Sequence, residues 1–497
     1  MTILPLNPTE NATPEALTGF FSQCRDAART SGCAQLVSIS VTVDALDPLA
    51  VLESIYEPGE LHFYAENPRM ETAIAGADAV ASLEASGAGR FAEVQRFIDR
   101  TLEHTLAVGE VSASFGGPHF FTTFAFQDSV MAGEPFPAAR VFVPRWQVSR
   151  AGEITTAVAN VMVGPESDPA ALTDRVWRAH RKFAAFEYPA APDAERERRG
   201  ATPEAAVSSL AEGEKRKEQP SHRTSMREVG DYRDAVRKGL ELIASGELRK
   251  IVLARAKEVV TENRIHPLRL LNDLRQRFPD CHAFSIGDGS GRSFIGASPE
   301  RLVRVSRGSL ETEALAGSIR RGSGASEDAA LGASLLRSEK DLREHALVLD
   351  SMARRLAPLG VKVDTGMRPG LKKLANVQHL CTPVGSPLPA GCRLLDVVAV
   401  LHPTPAVGGT PRERAVARIA EIEATPRGLY AGALGWVNAR GGGEFFVGIR
   451  SALVDGRTAR IFAGAGIVAG SVPEQEFTET ELKFRALEDV LKQSSES

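Results

Sequence analysis

Apolar and polar positions along this chain follow two rhythms, and the switch from one to the other marks its elements. In 90–106, RFAEVQRFIDRTLEHTL, the residues Phe91, Val94, Phe97 and Ile98 recur at the three-to-four spacing of one helix face, which predicts an amphipathic helix. The runs LHFYAENP (61–68) and FGGPHFFTTFAF (115–126) are strand-like and bounded by Gly and Pro. A helix is expected over 231–245, closed by Gly246 as a left-handed terminator. The run KIVLARAKEVV (250–260) then alternates as a strand. Gly-punctuated strands follow through 284–305, a helix spans 339–356, and a meander at 435–438, 445–454 and 458–468 leads into a terminal helix from Glu474. The apolar stripe of 339–356 reads as Leu342, Ala346, Leu349, Ala353 and Leu356, and the seam of the terminal helix as Phe477, Phe484 and Leu491.

Strands in runs and helices in separate runs imply an α+β fold, not a doubly wound βαβ sheet. No fixed period repeats along the chain, which argues against a solenoid. From about 189 to 225 the sequence turns polar and charged and reads as a linker or surface excursion. It divides the chain into an N-terminal half of the fold (1–225, linker included) and a denser region, 226–492.

Composition narrows the function classes. With a net charge of −4, the chain offers no electrostatic case for nucleic acid or an anionic membrane as partner. No apolar run approaches a membrane span, and the first residues lack the basic and apolar regions of a secretory signal. Five cysteines, odd in number and without CxxC spacing, point to free thiols in a reducing cytoplasm.

The most specific wording lies between 401 and 483: LHPTPAVGG (401–409), RGLYAG (427–432), FVGIRSA (446–452) and AGAGIVAGS (463–471), then a helix start carrying Glu476, Glu479 and Lys483. Read from residue chemistry alone, this is a Pro/Gly-rimmed cavity with an Arg and a Lys for anions and carboxylates placed for a metal. The GAGIVAG glycines have GxGxxxG spacing and no following βαβ unit, so close backbone approach explains them better than a dinucleotide. Arg450 interrupts an apolar strand and needs an anion, either an internal carboxylate or a ligand. Taken singly, the other residues have bland readings. Lys250 is a surface lysine beside Arg249, Glu300 a turn residue, and Glu344 sits on a solvated helix face. Glu479 and Lys483 form an i,i+4 surface pair, and His379 is a structural histidine.

Together these motifs closely resemble the catalytic region of chorismate-using enzymes: isochorismate synthases, salicylate synthases, anthranilate synthase component I and aminodeoxychorismate synthase component I. The resemblance is strong over 226–484, and in the N-terminal zone it rests on DPLAVLE (47–53) and GAGRFAEV (87–94). It implies a large layered α/β sandwich to which the N-terminal half contributes. It also implies roles for residues. Lys250 would be the base that activates water, Glu300 the acid for a leaving hydroxyl, and Glu344 and Glu479 the ligands of a Mg²⁺ cofactor, with Glu476 an outer ligand through water. His379, Ala406, Tyr430, Arg450, Lys483 and the backbone at Gly464 would line the chorismate site.

Lysine at 250 departs from the glutamine usual in ammonia users, so no glutamine amidotransferase subunit is expected. Ala406 stands where lyase-competent relatives usually carry a threonine or lysine, which favours an isochorismate synthase, and the long N-terminal half resembles those of the menaquinone type. A catechol siderophore pathway, a salicylate synthase and a non-catalytic chorismate-binding protein are the alternatives.

Overall fold

The computed structural model describes residues 1–4, 13–55, 57–184, 225–374 and 377–494. The expected linker therefore lies outside the described residues except for Ser225, which opens the strand Ser225–Val229. Among the described residues, twenty-one strands form one hydrogen-bonded network, nearly all of it antiparallel. Two long strands, Thr72–Ala85 and Ala139–Ala151, pair along their length with a register shift between Ala79 and Ala81, and they carry the network into two limbs.

In the first limb, His62–Asn67 pairs with the start of Thr72–Ala85. His282–Gly287, Ser293–Ser298, Ser451–Asp455, Thr458–Ile467 and Lys250–Val260 follow in that order. On its other flank lie Ile154–Val163, Gln35–Val43 and the parallel strand Thr105–Gly109. The second limb begins with His119–Phe124 on the first residues of Ala139–Ala151. It continues through Ala433–Asn438, Gly443–Val447, Arg301–Ser306, Ser309–Arg320 and Val377–Pro387. Aromatic rings join the limbs. Phe63 stacks on Phe121 at 4.5 Å between centroids, and Phe284 lies 5.2 Å from Phe446. This is the α+β layered architecture expected from the sequence.

Several local expectations are adjusted. The helix expected over 90–106 is Arg90–Glu103, and Thr105 already belongs to a strand, because its β-branched neighbourhood pairs with Leu36. Within 115–126 only His119–Phe124 is strand. The helix Tyr232–Ala244 is capped by the Asp231 carboxylate, and Gly246 takes φ +77°, as its position implied. Lys250–Val260 alternates between faces, yet both faces are covered. Ile251 and Leu253 pack so closely on the helix Tyr232–Ala244 that a Cβ at Gly239 would come 3.1 Å from each. Helix Glu339–Leu356 buries His345, Val348, Leu349, Met352 and Leu356, whereas Ala346 is exposed, so its inner face is rotated from the predicted stripe. The terminal helix Pro473–Ser494 packs Phe484, Leu487 and Leu491 with Ala459, Ile461 and Ala463, while Phe477 is half-buried.

Candidate active site

The chain passes between the limbs at two short links, and each carries a candidate residue. Pro299 and Glu300 join Ser293–Ser298 of the first limb to Arg301–Ser306 of the second. Gly448, Ile449 and Arg450 return the chain from Gly443–Val447 to Ser451–Asp455. The links touch, since the Val447 N–H donates to the Glu300 carbonyl at 3.0 Å and the Ala297 N–H to that of Arg450 at 3.1 Å. Arg450 holds φ +51°, a left-handed conformation costly for a side chain of its size, and a Cβ at Gly296 would meet its carbonyl at 2.6 Å.

A cavity opens where these links meet Lys250–Val260, Thr458–Ile467 and the helices Glu339–Leu356 and Pro473–Ser494. Glu300, Glu344, His379, Ala406, Tyr430, Arg450, Gly464, Glu479 and Lys483 all line it. Lys250 and Glu476 are absent from that lining. Lys250 is fully buried, with its Nζ donating to Glu344 Oε1 at 2.8 Å. Glu476 is buried against Lys340 at 3.1 Å.

The electrostatics divide the cavity. On one side Glu344, Glu479, Glu476 and Asp341 gather with Lys250, Lys340 and Lys483. Burial raises Glu476 above its usual carboxylate range, helped by Glu479, and burial likewise raises Asp341, helped by Glu344. Burial works against the charge of Glu479, but Lys483 at 2.8 Å, with Lys340 and Lys250, outweighs it and holds the carboxyl below its usual range. Lys483 also donates to the Gly464 carbonyl at 2.8 Å. On the other side, Arg450 is buried without a carboxylate partner among the described residues, and its Nη1 has no hydrogen-bond partner. Its Nη2 lies 3.2 Å from His379 Nε2. Burial, then Arg450, keep His379 well below its usual range, so its ring is neutral at physiological pH. This side is built to receive an anion.

Between the two, burial and then the nearby Glu313 carboxylate push Glu300 up to about 7. Thr404 Oγ1 donates to it at 3.4 Å. A carboxyl in that range holds a proton at neutral pH and can give it up. Tyr430 stacks on Phe462, with ring centroids 5.1 Å apart, and burial raises its phenol, so it stays neutral.

The glycines follow from close approach. A Cβ at Gly464 would lie 2.9 Å from the Tyr430 hydroxyl, and one at Gly466 would lie 2.7 Å from Glu344 Oε1 and 3.1 Å from Lys250 Cε. Bare backbone at 466 is what lets the Lys250–Glu344 pair reach the cavity's edge.

Four polar residues were not singled out from sequence. Asp341 lies one turn before Glu344 on the same helix and had that spacing as its signal. Thr404 sits inside the LHPTPAVGG motif. Lys340, which meets Glu476, and Ser318, which bonds His379 Nδ1 at 2.8 Å, had no sequence signal at all.

The sequence pattern of the chorismate binding enzyme family matches residues 20–492. The salicylate biosynthesis isochorismate synthase of Pseudomonas aeruginosa is 33% identical over 476 residues, covering 96% of this chain and 94% of that protein. The isochorismate synthase MenF of Bacillus subtilis is 32% identical over 468 residues, 91% of this chain and 93% of that protein. The solved structure of MenF, the menaquinone-specific isochorismate synthase from Escherichia coli, has the same fold, with a TM-score of 0.71 at 24% identity over 95% of this chain and 99% of that one. The chain therefore belongs to the family of chorismate binding enzymes.

Proposed function

We propose that the protein is an isochorismate synthase, converting chorismate to isochorismate by adding water at C2 while the C4 hydroxyl leaves. The observation that carries this reading is Glu300, a buried carboxyl pushed up to about 7 at the junction of the limbs, in a cavity it shares with an arginine that has no carboxylate partner among the described residues. Arg450 and Lys483 anchor the substrate's carboxylates, with neutral His379 beside them. Glu300 protonates the departing hydroxyl, which leaves as water. Lys250, at the edge of the cavity behind Gly466, is the base that receives the proton of the incoming water. One water enters and one leaves, so the reaction is an isomerisation.

The acidic side suits Mg²⁺. Its four carboxylates outnumber its three lysines, and the crowding contributes to raising Glu476 and Asp341. Glu344 and Glu479 would hold the ion, with Glu476 an outer ligand, and the bound ion would draw negative charge from a ring carboxylate. Relatives carry salicylate, menaquinone, 2,3-dihydroxybenzoate and vibriobactin in their names, and the isochorismate made here feeds menaquinone or a catechol siderophore.

Incubation with chorismate and Mg²⁺ should give isochorismate by chromatography, approaching an equilibrium mixture. Accumulation of salicylate with pyruvate would instead establish a salicylate synthase. Tight chorismate binding without turnover would establish a binding protein.

A further inference from the structure

Neither Glu313 nor Lys372 lines the cavity, yet together they grip the chain on both sides of Glu300. Glu313 lies on Ser309–Arg320 and Lys372 on Gly370–Lys373, and both strands pair with Val377–Pro387. The two side chains form an ion pair. Lys372 Nζ donates to the Pro299 carbonyl at 2.8 Å, and the Arg301 N–H donates to Glu313 Oε1 at 3.4 Å. The residue before Glu300 and the residue after it are thus tied to opposite members of one pair.

We propose that Glu313 and Lys372 are a positioning pair that fixes the aim of Glu300 and its hold on its proton. This rests on the reading of Glu300 as the acid of isochorismate formation. The charges act in opposite directions on the same carboxyl: Glu313 favours its neutral form, and Lys372 and Lys250 favour its ionised form. The other groups facing it change little near neutrality. Tyr430 is held neutral, His379 is neutral, and Arg450, whose guanidinium burial pushes below its usual range, lines the same cavity. The Cys381 thiol, 3.6 Å from Glu313 Oε2, is kept protonated by burial and by that carboxylate, pushed up to about 12. A matched pair places the link without adding net charge beside the acid.

The test is the pH dependence of kcat in the full-length enzyme with chorismate and Mg²⁺. Glu313→Gln keeps an acceptor for the Arg301 N–H but removes the negative charge. The decline of kcat on the alkaline side should then move to lower pH by about one unit. Lys372→Met should move it upward and also lower kcat with KM nearly unchanged, because the Pro299 carbonyl loses its tether. The double variant should return the decline to near its wild-type pH while kcat stays low, and Lys372→Arg should restore part of the rate. Single variants with an unmoved decline, or a double variant displaced as far as a single one, would overturn the proposal. Infrared titration of the protonated Glu300 carboxyl band, assigned by its loss in Glu300→Gln, gives a readout apart from turnover. Its midpoint should fall in Glu313→Gln and rise in Lys372→Met. A wild-type enzyme that makes no isochorismate would sink the functional reading alone, and an infrared midpoint unmoved in both variants would sink the pair.

Discussion

Glu300 has to be neutral in order to donate a proton and also to sit beside groups that attract its anion. Burial and Glu313 outweigh Lys372 and Lys250 and push it up to about 7. The sign for the alkaline side follows from its role: the Glu300 proton is in place below that pH, and kcat falls as pH rises through it, because the ionised carboxylate has no proton to give. Glu300→Gln should lower kcat by ~10²–10⁴ with little change in KM, measured by chromatography of the product. A variant that turns over at the wild-type rate would remove Glu300 from the chemistry. At Ala406 the expected change is in product. A threonine hydroxyl there adds one hydrogen bond beside the ring, worth ~0.5–1.5 kcal/mol. Ala406→Thr should therefore release a minor fraction of pyruvate, detected with a coupled dehydrogenase, while isochorismate still dominates; pyruvate at the wild-type background would show that this position does not select the reaction. Most cavity residues were legible because they sit in short, specific motifs. Glu313 and Lys372 were not, because a charged residue on a strand next to other charged residues looks like solvated surface until its tertiary partners are known.

At the scale of elements, the helix Glu339–Leu356 shows what periodicity leaves open. Its existence and span were readable from the apolar spacing, but its inward face was not. Counting apolar residues put Leu342 and Ala346 inside, whereas the fold buries His345, which bonds Thr382 at 2.8 Å, and turns Asp341 and Glu344 to the cavity. A polar residue with a buried partner counts as inward, and no hydropathy pattern can record that. The Glu479 and Lys483 face had the same ambiguity. If these two helices present the metal ligands, Glu344→Ala and Glu479→Ala should each raise the Mg²⁺ concentration needed for half-maximal rate, with partial rescue by excess Mg²⁺. EDTA should abolish wild-type turnover, and activity that survives it would refute the metal assignment.

For the whole molecule, the decisive feature is that the limbs are stitched from distant parts of the chain: His62–Asn67 pairs with His282–Gly287, and His119–Phe124 with Ala433–Asn438. Fold class was legible from the runs of strands and helices, but these partnerships were not, since nothing in a strand's own pattern names a partner hundreds of residues away. Phe63, wholly buried against Phe121 and Trp436, bridges the limbs. Phe63→Ala should cost about 3–5 kcal/mol in urea unfolding. Circular dichroism and tryptophan fluorescence should still report one coincident transition, and two separated transitions would mean that the limbs are independent bodies. The same stitching bears on how the protein is made. Lys250–Val260 finds its partner Thr458–Ile467 only after roughly two hundred more residues have left the ribosome, an interval on the order of ten to forty seconds at ordinary translation rates. Throughout that interval the nascent chain carries open strand edges and bare aromatic surface. Its yield in a cell should therefore rise when chaperones that shield such edges are co-expressed.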